Sequence, residues 1–192
     1  ISVILIGCVL RLTATPYETY FAGAGLVHVL VGPATVGLAI PLYAQIGRLR
    51  AMVIPLALAL FVGSLCAIGS AVAIGWACGA SADVLTALAP KSATMPIAMG
   101  VAEQIGGAPA LTALMVTITG VSGAIMAPRL LDFARVNDPA LRGFAIGLTA
   151  HAIGTAQALR GGGVAGGFAA LAMGLNGVLT ALMLPFLAGL AR

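Results

Sequence analysis

Charge is what this sequence has least of: nine Lys and Arg and five Asp and Glu among 192 residues, or 7%, against about 25% in an ordinary soluble domain. That scarcity excludes a chain whose whole surface is solvated. The net charge of +4 reads as loop arginine orienting a membrane protein, not as a nucleic-acid footprint. Cysteine is scarce as well, at three residues. Cys8, Cys66 and Cys78 stand singly in apolar runs, without metal-ligand spacing, so they read as small packing residues and neither metal nor cofactor is expected. Short alternating segments are missing too, which excludes a membrane β-barrel. There is no initiator Met and no signal-peptide layout.

What is present is apolar. The chain is 61% hydrophobic, with 26 glycines and abundant alanine that let helix backbones approach closely in lipid. The expected fold class is an all-α polytopic membrane protein, one domain over residues 1–192, with about seven hydrophobic segments. Ile1–Leu10 is too short to span and reads as the stub of a longer segment, with a first helix upstream. Six more follow: Phe21–Tyr43, Met52–Cys78, Val84–Gly100, Pro109–Pro128, Gly143–Leu159 and Val164–Leu190. Three carry interior breakers: Gly32, Pro33 and Pro41 in the first of these, Pro90 and Pro96 in the third, and His151 to Thr155, with Gly154, in the fifth. Discontinuous or re-entrant helices meeting near the bilayer midplane are expected there, because broken backbone survives in lipid only where protein or a water-filled cavity satisfies it.

A repeat pairs each broken segment with an intact one. Gly63, Gly120 and Gly177 each open a G-x-x-x-A run and lie 57 residues apart, 63 to 120 and 120 to 177. If the Val84 and Gly143 segments dip in and return, Arg48, Arg50, Arg129, Arg135, Arg142 and Arg160 share one side, leaving Arg11 and Arg192 on the other. That arrangement makes successive units antiparallel, as in transporters with inverted repeats.

The chemistry concentrates at the breaks. Lys91 is a charged side chain at membrane depth, functional by default; the bland alternative is a lysine snorkelling to the interface. Ser92, Thr94, Thr35 and Thr155 can donate hydrogen bonds to an anion's oxygens, or merely cap local backbone. Half-helix N-termini add free N–H groups that favour an anion. His151 titrates near pH ~6.5 when unperturbed and is the proton-coupling candidate beside Glu103, although a lone intramembrane His is often a packing residue. His28 reads as structural, and Asn176 should find a partner across the bundle. A small carboxylate bound by Lys91, Ser92, Thr94, Thr35, His151, Thr155 and Asn176 is the expected ligand.

Several stretches carry a resemblance: Gly32 to Tyr43, Ala89-Pro90-Lys91-Ser92, Met95 to Met99, His151 to Ala156 and Leu171 to Ala181. In order over nearly the whole chain, they resemble the LrgB/CidB family of bacterial inner-membrane proteins. The resemblance implies a multi-pass inner-membrane component linked to pyruvate, glycolate or glycerate transport, beside a small LrgA/CidA-like partner. Its alternative implication is an antiholin-like regulator of murein hydrolases and autolysis. Two departures touch substrate preference: Thr94-Met95-Pro96 stands where the family has Thr-Thr-Pro, and Gln157 where it often has a basic residue. A carrier is therefore expected first and a holin-like pore second, the latter assembling through spacings such as Gly143-x-x-x-Gly147 and Gly163-x-x-x-Gly167. An enzyme is not expected, since neighbours such as Lys91 and Ser92 do not face each other on a helix. A homodimer is a further candidate assembly.

Overall fold

The computed structural model describes residues 2–16, 19–20, 23, 37 and 39–190, in two compact units that divide after Gly37. In the first, Ser2–Leu12 forms helix α1, eleven residues or about 16 Å at 1.5 Å per residue, short of a membrane crossing. Gly32, Pro33, Thr35 and His28 lie outside the described residues.

The second unit is a succession of helices, with no strand among the described residues. Two short ones, α2 (Ala39–Tyr43, which contains Pro41) and α3 (Ile46–Ala51), lead into the 25-residue α4 (Val53–Ala77). Then come α5 (Ala82–Leu88), α6 (Met95–Gln104), α7 (Pro109–Phe133), α8 (Pro139–Arg160) and α9 (Gly163–Leu190). Among the described residues, α4, α7 and α9 are the helices long and apolar enough to cross a membrane. Along α4 the buried residues are Leu56, Ser64 and Ala71, a single narrow stripe. The rest of its surface exposes Ile54, Leu58, Phe61, Val62, Ile74 and Trp76, an apolar exterior suited to hydrocarbon rather than water.

Of the about seven hydrophobic segments expected, three form membrane-length helices among the described residues. Two of the remaining segments are not rods, because the chain doubles back inside each. In the first, α5 stops at Leu88, two tight turns follow (Lys91 N–H to Leu88 O, 3.1 Å; Ala93 N–H to Pro90 O, 2.9 Å), and α6 starts with Pro96 in its first turn. A Cβ on Gly107, just past α6, would lie 3.3 Å from the Thr86 carbonyl carbon on α5. In a straight helix those residues would stand about 30 Å apart.

In α8 the reversal occurs at one residue. His151 has φ 41° and ψ −135°, a backbone conformation that L-residues rarely adopt. Ile146, before it, packs in one cluster with Ala158, after it. The α8 base is capped by Asp138, whose carboxylate accepts from Ala140 N (2.8 Å) and Leu141 N (3.3 Å) and pairs with Arg48 of α3.

α7 separates the two hairpins. The first has its base beside the α4 C-terminus, where Gly75 meets Leu85 and Leu88; the second opens where Pro128, Pro139, Arg142 and Gly161 meet. Twenty-five residues of α7 place these bases about 38 Å apart, so the hairpins enter from opposite ends. The second is locked to α9. A Cβ on Gly143 or Gly147 would run into the carbonyl oxygen of Ala165 or Ala169, so only glycine permits this seam. The Gly143–Gly147 pair, expected to serve association between chains, is spent inside this one.

Candidate functional site

The two hairpin tips meet against the middle of α9. Breaking a helix frees carbonyls of the preceding turn, and here one side chain answers both tips. Asn176, 1% exposed, donates through Nδ2 to Ser92 O (3.0 Å) at the first tip and Leu148 O (3.2 Å) at the second. Its Oδ1 accepts from Ser64 Oγ of α4 at 2.6 Å. The amide thus clasps α4, both hairpins and its own helix, and no buried side-chain N or O is left unpartnered among the described residues.

The 57-residue glycines stand around this clasp. A Cβ on Gly63 would press on the Leu148 side chain at 3.2 Å, one on Gly120 would lie 2.6 Å from His151 Cε1, and one on Gly177 would lie 2.7 Å from Ile97 Cδ1. Each long helix therefore uses its repeat glycine to admit a side chain from a hairpin.

Beside the clasp lies a cavity of about 360 Å³. Lys91 and Ser92 line it from the first tip, Thr149 from the second hairpin, Ala67 and Ser70 from α4, and Thr119, Ser122, Gly123, Met126, Ala127 and Leu130 from α7. On α7 these positions recur every three to four residues, so the cavity follows one face of that helix for three turns. Lys91 is half-buried, and its Nζ donates to Ser92 Oγ at 3.3 Å. Chain neighbours touch here because residues 89–94 are not helical, which corrects the expectation that they point apart. The ion pairs among the described residues are Arg48–Asp138 and Arg142–Asp132, so no carboxylate among them pairs with Lys91, which lines the cavity.

The hydroxyls divide by their bonds. Ser122 Oγ donates to Ile118 O at 2.6 Å and Thr149 Oγ1 to Ala145 O at 2.8 Å, so both offer lone pairs to the cavity. Thr94 is the N-cap of α6 without a side-chain capping bond.

Other expected site residues stand apart from this cavity's lining. His151 is 3% exposed, its Nε2 2.9 Å from Val116 O. Thr155 donates to His151 O at 2.8 Å, and Gly154 packs against Ile146 and Ala150. Glu103 is exposed at the far end of α6. Among the expected residues, Lys91 and Ser92 thus share the cavity, while Asn176 holds its floor from behind. Sequence reasoning missed Ser64, Ser70, Thr119, Ser122 and Thr149. A signal existed for two of them, since Ser64 and Ser122 sit inside the G-x-x-x-A runs opened by Gly63 and Gly120.

Comparison with known proteins agrees with a membrane component. The profile of the LrgB-like family matches residues 1–190. The chain is 36% identical over 184 residues to the uncharacterized protein YwbG of Bacillus subtilis, covering 96% of this chain and 81% of that protein. It is 32% identical over 169 residues to the antiholin-like protein LrgB of Bacillus mycoides, covering 88% and 74% respectively. No solved structure matches.

Proposed function

We propose that this chain, which belongs to the LrgB-like family, carries small monocarboxylates such as pyruvate, glycolate or glycerate across the bacterial inner membrane. One observation carries the reading: Lys91, an ammonium group without a carboxylate partner among the described residues, lines a cavity rimmed by hydroxyls where two broken helices meet. A lone cation in a low-dielectric site attracts one negative charge, and about 360 Å³ admits an acid of a few heavy atoms. Ser92, Ser70 and Thr119 offer further polar contacts to its oxygens. Among the described residues no side chain combines an activated nucleophile with a separate base and orienting group, and transport is the reading we adopt.

The two hairpins, entering from opposite ends toward one clasp, support an inverted-repeat carrier in which one hairpin rocks against the other. Arg48, Arg142 and Arg160 gather at the base of the second hairpin, which supports a cytoplasmic position for that end. His151 is the proposed coupling group: its Nε2–H donates to Val116 O, and Nδ1 is the nitrogen that would take up the coupling proton. Purified protein in liposomes tests the reading: saturable uptake of labelled pyruvate or glycolate, competed by unlabelled acid, supports it, and nonselective dye leakage sinks it.

A second reading has its own support. A relative matched over 88% of this chain is named antiholin-like, and under that reading the protein modulates murein hydrolases and autolysis, alone, as a homodimer or beside an LrgA/CidA-like partner. Dye leakage in the same liposomes favours it.

A further inference from the structure

A second cavity, of about 420 Å³, opens between the legs of the α8 hairpin at its base, away from Lys91. Its polar walls are Arg142 on one leg and Gln157 and Arg160 on the other. Arg142 is fixed: it pairs with Asp132 at 2.7 Å and donates to Val136 O (2.9 Å) and Pro128 O (3.2 Å). Its charge is therefore answered within the protein. Arg160 is different, being exposed and outside every ion pair among the described residues. It also borders the adjoining cavity along Ala124 and Ile153, as does Gln157. The floor is apolar, made by Ile146 and Ala158. Beside the cavity, α7 ends in Leu130 and Phe133, 56% and 90% exposed, an apolar rim at the level where a membrane-length helix meets the headgroups.

We propose that this cavity binds the phosphate of an anionic phospholipid, gripped by Arg160 and Gln157, with the acyl-chain end against the apolar floor. A guanidinium matches phosphate oxygens in two-pronged geometry, and basic pockets between membrane helices on the cytoplasmic side suit such headgroups. The site is independent of which solute the Lys91 cavity holds.

The test uses the full chain in neutral detergent, with phosphatidylglycerol and phosphatidylcholine as probes and native mass spectrometry as readout. Saturable retention of phosphatidylglycerol over phosphatidylcholine is expected. Arg160→Gln should weaken that retention about fivefold, the effect of one surface arginine, and Gln157→Leu should weaken it as well. Arg50→Gln, which removes an exposed charge of α3 that does not line the cavity, should leave it unchanged. Equal retention of both lipids, or equal weakening by Arg50→Gln, overturns the proposal. Full displacement by inorganic phosphate overturns the lipid assignment in favour of a free anion.

Discussion

The two hairpins solve one problem in different ways. The first breaks over six residues, 89 to 94, with Pro90 and Pro96 enforcing the interruption and an extended Thr94 restarting the helix. The second breaks at His151 alone, in a strained conformation costing on the order of 1–3 kcal/mol, which the surroundings must hold. Gly120 makes room for its ring and Val116 O meets its Nε2. A break written into the local chain leaves its residues free to face a cavity, and Lys91 does. A break held by its neighbours buries the residue that makes it, and His151 is buried.

That contrast sets out its own tests. Lys91→Ala should cost the most, abolishing carboxylate uptake in liposomes while membrane insertion, followed by protease protection, stays intact. Normal uptake by this variant removes the lysine from the site. Gly147→Ala should come next. The added methyl collides with the Ala169 carbonyl, so the second hairpin should part from α9, with a loss of roughly 3 kcal/mol or more in stability and early thermal unfolding in detergent. Pro96→Ala in the first hairpin should shift the same melt far less, because Pro96 stands in the first turn of α6 and the six residues of the break, 89 to 94, all remain.

Asn176→Ala tests what the hairpins share. It strands two carbonyls, Ser92 O and Leu148 O, at about 1–3 kcal/mol each; an unchanged melting temperature would mean water replaces the amide. The smallest effect is expected from His151→Gln, which should keep uptake at neutral pH and flatten its pH dependence. An unaltered profile leaves the residue as a packing group only. Orientation has a separate check: cysteines placed at Glu103 and Arg129 should label from opposite faces of the membrane.

Much of this contrast was legible in the chain. Two prolines beside a lysine in an apolar run announce the first break, and His151 with Gly154 marks the second. The glycine spacing of 57 found the positions where long helices admit hairpin side chains. The number of crossings was less legible, because a hairpin leg and a spanning helix have the same composition and differ only in where the chain turns. The role of Asn176 was hidden for another reason. Its partners lie 84, 28 and 112 residues away, and no local pattern shows that all its bonding capacity is used before a ligand arrives. Ser70 and Thr119 escaped notice because a hydroxyl on an apolar helix looks alike whether it packs or lines a cavity.

The clasp also imposes a timetable on biosynthesis. The Ser92 carbonyl waits for an amide made 84 residues later, about 4–17 s at 5–20 residues per second of synthesis. During that interval the first hairpin can rest on α4 and α7, but the carbonyl at its tip is without its amide partner. Release of α9 is then the event that seals the protein, and a ribosome stalled before residue 176 leaves an unfinished chain open to quality-control proteases.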